Sequence, residues 1–158
     1  MQRRHFLNCA AAWAGGLLIV RPAHAHHGWS SFDEAHPLYL AGRVKAVKWQ
    51  NPHAEIVITV APASALPSDL AGRKLPAQSA GVDGARLLAA AALPRKTGDW
   101  TIELSPMTRI AAWKVPEPRV GDSVAALAYG LKDEKEQFAR VEYLFIGTQA
   151  FGLRSNPA

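Results

Sequence analysis

The chain has 158 residues, 49% of them apolar and 20% charged, with a formal net charge of +5, a length that suits one domain and not two. Residues 1–25 carry three arginines and no acid, so removing them lowers the charge to +2 and leaves no long basic run, which excludes the electrostatic footprint of a nucleic-acid binder. Cys9 is the only cysteine and falls in that segment, which excludes intrachain disulfides, thiolate metal sites and cysteine catalysis in the remainder.

The first 25 residues read as an export signal: a basic start, an apolar run from Cys9 to Val20 and a small-residue cleavage site at Ala23-His24-Ala25. The run is shorter than the about 20 residues a membrane-spanning helix needs, and no stable membrane span is expected in the mature chain. Arg3-Arg4 followed by Phe6-Leu7 matches the twin-arginine pattern, so the expected address is the periplasm. Cleavage after Ala25 makes His26 the first mature residue.

Past Pro37 the pattern turns strand-like. Leu38, Leu40 and Val44 alternate with polar residues in "LYLAGRVKAVKW", with a phase slip at Val47 that predicts a bulge. "QNPH" signals a turn, and "AEIVITVA" predicts a second strand with Ile56, Ile58 and Val60 on one face. Residues 61–98 hold eleven alanines, four prolines, four glycines and no aromatic residue. One short helix over Ala85–Leu93 is expected there, in a surface insertion that buries little apolar area and is dispensable. "WTIELS" predicts a third strand. "SPMTRIAAWKV" predicts a short helix with Ser105 as its N-cap and Pro106 at its first position. "RVGDSVAALAYG" and "FARVEYLFIG" predict two more strands around a charged hairpin tip. The expected fold is mainly β: a five-stranded OB-like barrel over residues 26–158, with one short helix between strands 3 and 4.

"HHGW", "WQNPH", "WTIEL" and "VGDSV" occur in that order, and in this the chain resembles a family of short exported bacterial proteins of unknown function. The match falls on His26, His27, Trp49, Asn51, Pro52, His53, Trp100, Gly121 and Asp122. The resemblance implies a fold and an export route, not a reaction.

An N-terminal histidine offers its amino group and Nδ1 to one metal, and a second imidazole completes three nitrogens, a donor set that suits Cu(II). His53, at a strand–turn corner, is the expected partner, with His27 next and His36 as an outside candidate. The cofactor expected is one copper ion. The structural reading stands beside it: Pro52 sets the turn and His53 caps a backbone group. A metal-free barrel that binds a small ligand or a periplasmic protein is the first alternative, and a copper-dependent oxidase the second.

No motif requires an enzyme. Ser30, Ser31, Asp33 and His36 lack a hydrolase framework, and the neighbours Asp33-Glu34 and Asp133-Glu134 read as solvated loop charges. Trp29, Phe32, Trp49, Trp100 and Trp113 read as core before they read as a binding face. Arg109 is expected to meet an anion or Glu103.

Overall fold

The computed structural model describes residues 28–158, so the expected signal (Arg3, Arg4, Phe6, Leu7, Ala23, Ala25) and the histidines His26 and His27 lie outside the described residues. Its strands are β1 (Leu38–Lys48), β2 (Glu55–Val60), β3 (Gly98–Glu103), β4 (Ser123–Gly130), β5 (Phe138–Ile146) and β6 (Gln149–Gly152), with helices α1 (Gly84–Ala90) and α2 (Met107–Ala112). β1 pairs antiparallel with β2 and β4, β2 with β3, and β4 with β5, while β3 closes the ring by pairing parallel with β5. The result is the expected mainly β, OB-like closed barrel of five strands with α2 between β3 and β4. β6 is an additional strand, antiparallel to the second half of β5.

Alternation along the strands builds the interior: Leu40, Val44, Ile56, Ile58, Ile102, Ala126 and Val141 are buried in one cluster with Trp100. Strand curvature is local. The bulge in β1 falls at Lys45, between the pairs Val44–Ile58 and Ala46–Val57, and not at the expected Val47. Just before it, a Cβ on Gly42 would stand 2.3 Å from the Thr59 carbonyl oxygen, so only glycine allows the two strands this approach. Gly121 has φ 93° with open space around it, so the turn needs its backbone freedom and not its small size. That turn locks onto β1 through Gly121 N–H to the Val44 carbonyl (2.8 Å) and Val44 N–H to the Asp122 carbonyl (2.9 Å).

A second apolar cluster covers the outer face of β4 and β5. There Leu70, Leu87, Leu88 and Ala91 from residues 61–98 are buried with Phe32, Tyr39, Leu127, Tyr129, Tyr143 and Phe145. The expectation that this segment buries little does not hold, because its leucines have a second apolar surface to meet. α1 begins one residue earlier than expected and ends at Ala90, with Asp83 accepting from the Arg86 N–H at 3.0 Å.

α2 differs at its start. Pro106 occupies the cap position without a side-chain bond, and the buried Ser105 hydroxyl donates instead to the Leu153 carbonyl at 2.6 Å. The helix closes with Val115 N–H to Ile110 O (3.1 Å) and Lys114 N–H to Ala111 O (3.0 Å), the two bonds of a Schellman ending. Lys114 takes the left-handed position at φ 52°, where a side chain costs about 1 kcal/mol. Lys114→Gly is therefore expected to stabilise the fold by up to about 1 kcal/mol, read as a higher urea midpoint with an unchanged slope. A lower midpoint would show that the lysine side chain contributes more than its backbone costs.

Candidate functional site

His53 lies between β1 and β2 in the stretch Trp49-Gln50-Asn51-Pro52-His53, where the Asn51–Pro52 peptide bond is cis. The next residue fixes its backbone: Ala54 N–H donates to the Ser105 carbonyl (2.9 Å) and Leu104 N–H to the Ala54 carbonyl (2.8 Å). These bonds extend the β2–β3 pairing and hold His53 against the end of β3. There the imidazole keeps 27% exposure, and its Nδ1 stands 3.6 Å from Glu103 Oε1.

Glu103 is 3% exposed, and its charge is tolerated because Arg140 is its direct partner across the β3–β5 pairing. Arg140 Nε donates to Glu103 Oε1 at 2.9 Å, and Nη2 lies 2.6 Å from the same oxygen. The Arg140 guanidinium also stands 5.0 Å from the Trp29 ring centre and 4.5 Å from that of Phe32. A second arginine does the same from the C-terminal segment, with the Arg154 guanidinium 4.0 Å from the Trp29 ring centre. Each such cation–π contact is worth about 0.5–2 kcal/mol depending on desolvation. Together they dock the segment around Trp29 onto the barrel.

Arg154 is itself anchored. Its Nε donates to Glu142 Oε2 (2.7 Å) and its Nη2 to Glu34 Oε2 (2.6 Å), while Gln78 Nε2 donates to Glu142 Oε1 (3.0 Å). Glu142 is the extra residue of a bulge in β5, and its side chain is fully buried. Burial pushes its carboxyl above the ordinary range, against the pull of Arg154 and Gln78. Burial opposes the charge on Arg154 as well, but the bonds to Glu142 and Glu34 outweigh it and raise that pKa. Burial, reinforced by Glu142, pushes the Tyr129 hydroxyl up to about 12.

The raised Glu142 value fixes a sign. Between its unfolded and folded values the native state holds more protons, so this group's contribution to stability improves as pH falls through that window and worsens as pH rises through the folded value. Urea unfolding at pH 5 and pH 8 should therefore show wild type gaining on Glu142→Gln at the lower pH. A constant gap between the two proteins would remove Glu142 as the source.

The remaining expected residues have structural places. Trp100 is buried and donates Nε1–H to the Lys96 carbonyl (3.1 Å), while Trp113 donates to the Ser155 carbonyl (2.8 Å). Trp49 packs partly buried against the interior cluster. Asn51 and Pro52 are exposed at the turn, and Asp122 accepts from the Arg119 N–H at 2.8 Å. Arg109 does not pair with Glu103 among the described residues; its Nη1 donates to the Leu153 carbonyl at 3.2 Å. Glu34 differs from its expected solvated role by pairing with Arg154, whereas Asp133 and Glu134 are exposed with loose partners at 3.8 Å. His36 is exposed and bonds Asp33 at 2.7 Å, and both line a pocket of about 320 Å³ with Trp100 and Leu131. Ser30 and Ser31 offer their carbonyls to Lys132. Among the described residues, no group of three or more His, Cys, Asp or Glu side chains can hold a metal ion, so a metal at His53 needs ligands from before Gly28.

The model of a family of unknown function (DUF6152) matches residues 17–69. Over that stretch, which includes Trp29, the Asn51-Pro52-His53 turn and both first strands, the chain is similar to an uncharacterised family. The match ends before β3, so Trp100, Glu103, Gly121, Asp122, Arg140 and Arg154 lie beyond it. No curated protein and no solved structure gives a significant match.

The pairing of Glu103 with Arg140, and of Glu142 with Arg154, is not visible in the sequence. Each of the four stands in or beside an apolar strand where alternation marks it as outward-facing and solvated. The available signal was in β5, whose nine residues hold only two charges, Arg140 and Glu142, among large apolar neighbours on both faces. No helix among the described residues is long and apolar enough to cross a membrane.

Proposed function

We propose that this chain is an exported periplasmic barrel protein that binds one copper ion through the mature N-terminal His26, by its amino group and imidazole, together with His53, with His27 close at hand. The observation that carries the reading is a chain of contacts. Trp29, three residues after His26, lies 5.0 Å from the Arg140 guanidinium; Arg140 holds Glu103 at 2.6 Å; and Glu103 stands 3.6 Å from His53. Three residues of extended chain reach about 10 Å, and Trp29 and His53 stand on either side of the same Arg140–Glu103 pair. The amine and imidazole donors suit Cu(II) above the other divalent ions. The barrel supplies a rigid corner, and the arm supplies the remaining nitrogens.

The test is the metal content of protein purified from the periplasm, its N-terminus established by mass. Copper near one equivalent and a mass beginning at His26 are expected; a chain starting elsewhere, or free of metal after copper supplementation, sinks the reading. Lysine at both Arg3 and Arg4 is expected to abolish periplasmic accumulation while synthesis continues. Undiminished export would remove the twin-arginine route.

A metal-free binding module is the second reading, favoured by the pocket of about 320 Å³. Its apolar floor of Leu38, Leu93, Leu131 and Trp100 lies under a rim that includes Asp33, Arg95 and Glu136, a mix that suits a small amphiphile.

A further inference from the structure

We propose that the outer face of β1 binds a linear monocarboxylic acid of medium chain length, with its carboxylate at Arg43 and its apolar chain running over Ala41 toward the segment that follows β2. The groove at Arg43 shares no lining residue with the pocket beside Trp100, and nothing in it depends on a metal.

Strand register sets the polar end. Arg43 of β1 stands opposite Thr59 of β2 on one side and Ser123 of β4 on the other, so a guanidinium and two hydroxyl residues share one stretch of the exposed face. Arg43 Nη1 donates to the Gly121 carbonyl at 2.9 Å, which orients the group and leaves it further N–H donors. Among the described residues no carboxylate lines this groove of about 680 Å³. Asp99, opposite Thr59 in β3, is held by Lys45 and by the Thr59 hydroxyl at 2.8 Å. Arg73, also on the lining, is held by Asp69 at 2.9 Å. Arg43 is thus a cation met by a carbonyl and hydroxyl residues, and a planar carboxylate matches its fork.

The apolar end follows from small side chains. Ala41, two residues before Arg43 on the same face, is exposed and meets Ala125 across the β1–β4 pairing. The two alanines leave a floor between Arg43 and the rings of Tyr39 and Phe145, over which Arg73 lies. At Tyr39, Ala41 and Ala61 the groove adjoins a second cavity of about 350 Å³, walled by Pro62, Ala63, Ala65 and Pro67. From Tyr39 to Arg43 the strand runs about 13 Å, room for an extended chain. A cationic end joined to an apolar one selects an acid with a hydrocarbon chain over a neutral or cationic amphiphile.

The test is calorimetric titration of the purified chain with octanoate, octan-1-ol and octylamine, which share a chain and differ in charge. Octanoate is expected to bind at least about 10-fold more tightly than the other two. Arg43→Gln should weaken octanoate by about 10- to 100-fold, so that the acid loses its advantage over the alcohol. Ala41→Leu should weaken octanoate by blocking the floor, and its exposed position leaves the interior packing alone. In wild type, which needs no variant to fold, octanoate should shift the amide resonances of Ala41, Gly42, Ser123 and Ala125. Shifts confined to Trp100 and Leu131, or equal octanoate affinity in wild type and both variants, would overturn the site and move binding to the other pocket. Equal affinity for octanoate and octan-1-ol would overturn the role of Arg43. Wild type that takes up no octanoate overturns the whole inference and leaves the copper reading to its own test.

Discussion

Replacing residues 64–95 by a short Gly/Ser link is expected to cost about 5–10 kcal/mol, enough to unfold most domains of this size. The length of a loop alone argues otherwise, since halving it changes closure entropy by only about 0.6 kcal/mol. What decides the outcome is the cover the segment provides. Its own buried leucines and its own ordering entropy leave together, but the barrel's outer residues lose their partners with no compensation. Arg73 lies over the Tyr39 and Phe145 rings at 5.7 and 5.2 Å, and Tyr143 donates its hydroxyl to the Pro76 carbonyl at 3.2 Å. Each large side chain returned to water costs about 1.5–3 kcal/mol. Gln78 leaves too, and removing a hydrogen-bond donor from the fully buried Glu142 adds about 1–3 kcal/mol. Circular dichroism and a urea titration of the shortened protein are the check. A cooperative transition within about 1 kcal/mol of wild type would return the segment to the status of a passive loop.

Adding a single alanine before His26 is expected to lower Cu(II) affinity by at least about 100-fold, because it parts the amino group from the imidazole that shares its chelate and alters no side chain. His53→Ala should weaken binding by a similar factor by removing one nitrogen of three, with its fold retained because the residue lies at a turn. His27→Ala should matter less if the arm is extended, since neighbouring side chains then point opposite ways. Every ligand must shed its proton to bind, so uptake should also fall as pH drops through the imidazole range. Chelator-competed titrations on the four proteins read these effects. Equal affinity in wild type and the alanine-extended chain would exclude the terminal amine as a ligand.

The strand pattern was legible where one face of a strand meets the interior and the other meets water. Ile56, Ile58 and Val60 declare β2 by alternation alone, and Trp100 and Ile102 declare β3. The second cluster was not legible in residues 61–98, because Leu66, Leu70, Leu75, Leu87 and Leu88 share no single period across the turns between them. The hint lay elsewhere: Leu127, Tyr129, Tyr143 and Phe145 occupy outward positions and would stand bare in water without a covering layer. At the candidate site, His53 could be picked out from its place at a turn. Glu103 could not, since its burial depends on Arg140, 37 residues away, and only closure of the barrel brings them together. Ser105 shows the same limit, for its hydroxyl fits an N-cap in sequence but is taken by a carbonyl from the far end of the chain.

The ring is shut by three residue pairs between β3 and β5: Thr101–Phe138, Ile102–Ala139 and Glu103–Arg140. This seam is the shortest join in the barrel, and a short parallel join opens more readily than the long antiparallel ones beside it. Because one of its three pairs is also the support of His53, breathing of the barrel and loss of the site's geometry are a single event. An occupant held through that geometry must keep the seam closed for as long as it stays. Its affinity is thereby tied to the cohesion of the whole cylinder, and occupancy and thermal resistance rise together.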